Sequence, residues 1–173
     1  MTEDSKKIES KIGNKDAYKF ALDTRNFEVA LFWQRSNYFL VLNSALALGF
    51  FNLQKQEYAL LLAVFGFLAS YLWFQVNLGS KYWQARWENR LSIFENEVSP
   101  GLNFFSANWQ TIQKDVEDSL GNTRDDKGSL RKWVDKQVLK KPSVSHNMTL
   151  LSLGSMLAWA LLAVIRIWKT ALQ

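Results

Sequence analysis

The chain has no cysteine and a single histidine in 173 residues. Disulfides and thiol chemistry are therefore excluded, as is any metal site or catalytic dyad built from several histidines. A site made only of carboxylates stays open on composition, but no cofactor is expected. Pro100 and Pro142 are the only prolines, and each is expected to stop a helix. No stretch shows the apolar–polar alternation of a half-buried strand. A leading apolar run is missing too, because residues 1–35 are polar and mixed in charge. A cleavable secretory signal needs a short basic region followed at once by an apolar run. The first apolar segment is thus expected to insert as an uncleaved anchor.

What the chain does have is apolar and charged residues sorted into separate blocks, with a formal charge of +5. Such sorting marks a membrane protein with a soluble part. Three blocks stand out: Tyr38–Leu53, Tyr58–Val76 and Met148–Trp168. As helices they cover roughly 24, 28 and 31 Å at the usual rise per residue, against a hydrocarbon core of about 30 Å. The first is short, and the amphipathic stretch Asn26–Arg35 can extend the same helix at the interface. The turn at 54–57 is too tight for anything but an antiparallel hairpin. Tyr38, Tyr58, Tyr71, Trp73, Tyr82, Trp83 and Trp168 fall near block ends, where amphipathic rings settle at the headgroups.

The expectation is an all-α membrane protein. Residues 1–37 form an N-terminal amphipathic helix, and 38–77 a transmembrane hairpin with spans at 38–53 and 58–76. Residues 78–147 make a helical cytoplasmic domain, 148–168 a third span, and 169–173 a tail. The N-terminal tail to Asn37 carries seven Lys or Arg, the 78–147 segment eleven, and the hairpin turn only Lys55. The positive-inside rule then places the N-terminus and the long loop in the cytoplasm of a bacterial inner membrane. Arg166 and Lys169 weigh mildly against an outside C-terminus.

Within the loop, Ser80 is expected to cap a helix through Val98, with Trp83, Trp87, Leu91, Phe94 and Val98 on one core-facing stripe. Pro100-Gly101 ends it. A second helix is expected over Leu102–Leu120. A polar loop at 121–128 follows, and Ser129 then caps a basic helix that runs to Lys141, before Pro142.

Small residues recur at helical spacing in the spans: Ala45 and Gly49; Ala59, Ala63, Gly66 and Ser70; Gly154 and Ala158. Such stripes let helices approach closely, within a protomer or between copies. Three spans offer little surface to bury three stripes, which favours a homo-oligomer. Asn43 is the one strongly polar side chain in mid-span. It needs either a partner on a neighbouring helix or a hydrated lumen to line. Arg131, Lys132, Lys136, Lys140 and Lys141 make a basic face beside Trp133 and Val134. Its place just ahead of a span favours lipid headgroups over nucleic acid. His146 lies where a loop meets the membrane.

The stretches TRNFEVALFWQRSNYFLVLNSAL (24–46) and KKPSVSHNMTLLSLGSMLAW (140–159) resemble the RipA family of octameric bacterial membrane proteins. Arg25, Asn26, Phe27, Glu28, Phe32, Trp33, Arg35, Ser36, Asn37 and Tyr38 match its pattern. The resemblance implies an octameric membrane assembly. It extends to CRISPR-accessory membrane proteins thought to form octameric pores in antiphage defence, which have been linked to a degenerate ribonuclease-like helical domain. The ribonuclease pattern of an arginine just upstream of a histidine is absent here, because Leu139, Lys140 and Lys141 occupy those positions ahead of His146. Nothing catalytic carries over. In the matched segment, an Arg25–Glu28 pair at helical spacing and Arg35 at headgroup level are expected to fix the first helix at the interface.

Two function classes follow. One is a pore or channel-like ring that leaks ions under stress or phage attack. The other is a non-conducting scaffold that recruits a cytoplasmic protein through its helical loop. An enzyme is not expected. The spans hold no Asp, Glu, His, Lys or Arg other than Arg166, and acid–base chemistry needs titratable groups close together.

Overall fold

A computed structural model describes residues 13–52, 56–121 and 128–172. Residues 1–12, 53–55, 122–127 and 173 lie outside the described residues, and with them half of the expected 54–57 turn and most of the expected 121–128 loop. The described chain is all-α, with five helices: α1 (Asn14–Asn52), α2 (Gln56–Val98), α3 (Trp109–Gly121), α4 (Ser129–Val138) and α5 (Val144–Ala171).

Helix α2 runs for 43 residues without a break. The expected start of a new helix at Ser80 is therefore wrong. Nothing at 77–83 opposes helix except Gly79, whose cost of about 1 kcal/mol is too small to end one. Ser80 is buried and accepts a hydrogen bond from Arg35 Nη1 at 3.5 Å, so it caps nothing. The buried residues of α2 explain its length. Ala59, Ala63, Gly66, Ser70, Trp73, Asn77, Ser80 and Gln84 are buried at alternating spacings of four and three, and Leu91 and Glu95 continue the series. A strict repeat of this kind keeps one seam facing the same side over many turns. Pro100 ends the helix by disfavouring helical backbone at Ser99, and Gly101 takes φ 102° in the turn.

The chain divides into two compact units. The first comprises residues up to Phe27 and Gln84–Ser143. Its buried residues include Ala21, Leu91 and Glu95. The expected aromatic stripe is only partly core: Leu91 is fully buried, Trp87, Phe94 and Val98 are half-buried, and Trp83, outside this unit, is exposed. The expected helix over Leu102–Leu120 begins only at Trp109, because Asn108 Oδ1 accepts the Thr111 amide at 2.8 Å and caps it there. Likewise α4 starts from Gly128 with no side-chain cap, so the expected cap by Ser129 is not formed. The helix also stops at Val138 rather than Lys141; Lys141 has left-handed φ 49°, just before Pro142.

The second unit comprises Glu28–Trp83 and residues from Val144 onward. In it, segments of α1, α2 and α5 share a core of Phe50, Ala59, Ala63 and Trp159, flanked by Leu46, Leu62, Phe67 and Leu162. Contacts between α1 and α2 run in opposite sense along the two helices: Arg35 meets Ser80, Phe39 stacks on Trp73 at 6.2 Å between ring centres, and Asn43 meets Ser70. Two helices among the described residues are long and apolar enough to cross a membrane, Tyr58–Val98 and Val144–Ala171. In their most apolar windows only 33% and 11% of residues are buried, unlike the core helix of a soluble protein. The first expected span does not reach that mark on its own. Its apolar run is interrupted by Asn43, Ser44 and Asn52, and charged Arg35 lies just before it.

Candidate functional site

The most constrained feature of the second unit is a polar knot within an apolar bundle. Asn43 Oδ1 accepts from Ser70 Oγ at 2.8 Å, from Trp159 Nε1 at 2.9 Å and from Ser155 Oγ at 3.2 Å. The two serine hydroxyls lie 2.9 Å apart. Asn43 Nδ2 donates back to the Phe39 carbonyl at 2.9 Å. One amide thus ties α1 to both α2 and α5. Its hydrogen-bonding groups are engaged inside the protomer. Ser155 and Trp159 were not singled out in the sequence. Both sit on α5, four residues apart and so on one face.

A second polar layer lies further along the same helices. Asn77 Nδ2 donates to the Met148 carbonyl at 3.1 Å and to Ser152 Oγ at 3.2 Å. Helix α5 is thereby held to α2 at two levels, by Asn77 and by Ser70.

The small-residue stripes separate into two kinds. Ala59, Ala63, Gly66 and Ser70 on α2 are buried. Gly66 takes the indole of Trp159 directly against its backbone, where a Cβ would overlap ring carbons. Gly49 contacts Leu62, whose Cδ1 would stand 3.1 Å from a Cβ at that position. By contrast Ala45 and Ala158 are exposed, and Gly154 has open space around it. Their stripe on α5 and half of that on α1 face away from the protomer core.

In the matched N-terminal segment, Phe32 and Ser36 are the buried positions, four residues apart. Arg35 is half-buried, and Trp33 and Asn37 are exposed. No ion pair joins Arg25 to Glu28. Instead Arg25 Nη2 reaches Glu88 at 3.6 Å, and its guanidinium lies 5.9 Å from the centre of the Phe105 ring. The pair on a neighbouring helix competes with the local one because the 25–88 approach lies along the α1–α2 contact.

In the first unit, Glu95 organises the 99–108 loop. Its carboxylate is buried and accepts the backbone amides of Phe104 at 2.8 Å, Phe105 at 2.9 Å and Ser106 at 2.8 Å. Burial alone would raise its pKa, but these hydrogen bonds outweigh burial and hold the carboxyl below its usual range. Burial first, and the Glu95 charge second, push the Tyr18 phenol up. Leu102 and Phe104 stay exposed on the loop so fixed. No signal of spacing or periodicity marked Glu95, since its partners are backbone amides.

On α4, Arg131, Lys132 and Lys136 are exposed, and Lys132, Asp135, Lys136 and Leu139 line a shallow pocket. Lys141 departs from the expected basic face: its ammonium stands 4.8 Å from the centre of the Trp109 ring. His146 is exposed near the start of α5. Among the described residues no cluster of His, Asp and Glu could hold a metal ion.

The uncovered apolar surface of α2 and α5 and their length define the class: an all-helical membrane protein. The profile of the octameric membrane protein family (8xMP) matches residues 15–168, nearly the whole chain, and the chain belongs to that family. No curated protein and no solved structure matches it.

Proposed function

We propose that this chain is the protomer of a homo-octameric ring in the bacterial inner membrane and that the ring encloses a pore with an apolar, dry constriction at rest. The observation that carries the reading is the division of the small-residue stripes. The α2 stripe is used up inside the protomer, while Ala45, Gly154 and Ala158 remain open for a neighbouring copy. The spans' central amide, Asn43, is engaged within the protomer, so the surfaces left to line a ring are mostly apolar. A constriction of that kind gates by wetting. In this reading α1 also crosses the bilayer, since residues 35–50 lie alongside the apolar part of α2. The basic residues keep the N-terminus and the 78–147 segment cytoplasmic. The likeness to the RipA family and to CRISPR-accessory pores extends the proposal to ion leakage under stress or phage attack.

Conductance in planar bilayers tests it. The purified octamer should be silent at low voltage and open in discrete steps when driven. An intact octamer that never conducts removes the pore.

A second reading is favoured by the Glu95-fixed loop, which presents Leu102 and Phe104 to solvent on a rigid frame. The ring would then be a scaffold that holds a cytoplasmic protein against this loop. In-cell crosslinking from position 104 distinguishes the two, because self-contacts alone count against the scaffold.

A further inference from the structure

Helix α4 has ten residues and buries none of them. Leu130, Trp133, Val134 and Val138 fall at spacings of three, one and four, which places them on one face. They are 74%, 60%, 42% and 45% exposed. On the wheel, Arg131 borders that face on one side and Lys136 on the other, Gln137 falls within it, and Lys132 and Asp135 lie opposite. The segment from Ser129 to Lys141 carries five basic residues and one acidic. Five residues, 139–143, then lead into α5. That linker reaches at most roughly 20 Å when extended, so α4 is tethered close to one mouth of the α5 span.

We propose that α4 is a monotopic membrane anchor that lies in the cytoplasmic headgroup layer, with Leu130, Trp133, Val134 and Val138 in the acyl boundary and Arg131, Lys132 and Lys136 on anionic phospholipid. Left in water, an apolar face this exposed would promote aggregation. A short helix with an apolar face, a tryptophan and flanking basic residues, tethered beside a span, matches an interfacial helix in each respect. Lys132 and Lys136, with Asp135 between them, lie on the polar side of the helix. The basic face read from the sequence gives only attraction to the surface; the uncovered apolar face adds insertion. A second copy of the chain is the competing occupant. The proposal rests on α5 crossing the bilayer.

The absence of native cysteine allows single-cysteine spin labelling of the full chain. Labels at 130, 134, 138, 132 and 136, with a control at Val164 on the exposed face of α5, are read in lipid nanodiscs by collision with oxygen and with a nickel chelate. With phosphatidylglycerol present, labels at 130, 134 and 138 should prefer oxygen and those at 132 and 136 nickel. In pure phosphatidylcholine, or with R131Q/K132Q/K136Q, the oxygen preference should be lost. Labels at 134 and 138 shielded from both agents would show a protein interface and overturn the proposal. An oxygen preference indifferent to lipid charge would overturn the recognition of anionic lipid. If the 164 label itself avoids oxygen, the membrane reading of α5 has failed and α4 falls with it; if only the α4 labels do, the failure is specific to α4.

Discussion

Gly66 lies flat against the indole of Trp159, so close that a methyl group at position 66 would overlap the ring. The approach lets Trp159 Nε1 reach Asn43 at 2.9 Å and sets the indole almost at a right angle to the Phe50 ring, their centres 5.8 Å apart. Packing and hydrogen bonding of the bundle therefore depend on one missing side chain. Gly66→Ala should force the indole out and cost about 3 kcal/mol, the upper range for overpacking. In a Trp159→Leu background the same substitution should cost much less, since the clash is gone. Unfolding in mixed micelles, followed by helical circular dichroism, gives both values. Equal penalties in the two backgrounds would show that the contact is not the cause.

Asn43→Ala removes the acceptor shared by Ser70, Ser155 and Trp159. The serines can still bond to each other, so the Trp159 N–H is the group left unpaired. Hydrogen bonds between membrane helices average a little under 1 kcal/mol each, so a loss of about 1–2 kcal/mol is expected. If the ring conducts, its ion preference should not change, because this amide faces into the protomer. A shift in reversal potential under an ion gradient would place Asn43 on the lumen after all.

The sequence made the helical class and two of the three expected apolar spans, those within α2 and α5, readable, because composition and hydropathy survive without three-dimensional context. It did not show the length of α2. The seam from Ala59 to Glu95 is built of alanine, glycine, serine, asparagine, glutamine and glutamate as well as tryptophan and leucine. A search for apolar periodicity breaks such a seam in two at Asn77–Ser80, although the spacing of four and three never fails there. Ser80 was expected as a cap for the same reason: a polar residue after an apolar block looks like a boundary. The Arg25–Glu88 pair and the Glu95 cradle depend on residues far apart or on backbone amides, which no local spacing reveals.

Glu95 makes the 99–108 loop sensitive to acid. Its folded pKa lies below the unfolded one, so the carboxylate stabilises the fold fully above the ordinary carboxylate range. That contribution is lost as pH falls through the lowered folded value. Protection of the Phe104, Phe105 and Ser106 amides, taken relative to their intrinsic exchange rates at each pH, should thus persist from neutral to mildly acidic pH and fall only in stronger acid. Glu95→Ala removes the acceptor at every pH, at a cost of roughly 3 kcal/mol for bonds to a charged group. Its three amides should exchange fast at neutrality. Unchanged protection in that variant would mean the loop is held by something else.

The open stripe on α5 separates assembly from folding. A Cβ added at position 154 meets nothing within 4 Å in the protomer, so a side chain there starts into open space. Replacing a helical glycine also removes a backbone penalty of about 1 kcal/mol. Gly154→Leu and Ala158→Leu should therefore leave protomer stability level or slightly raised. If a neighbouring helix crosses at these residues, the added side chains would hold it several ångströms away and the ring would not close. Native mass spectrometry from nanodiscs should show octamers for the parent chain and smaller species for both variants. Ala63→Leu supplies the contrast: Ala63 is fully buried in the protomer core, so that variant should lose helical packing itself. Octamers that persist with leucine at both 154 and 158 would move the subunit contact to another face, with the Ala45 side of α1 the next to test.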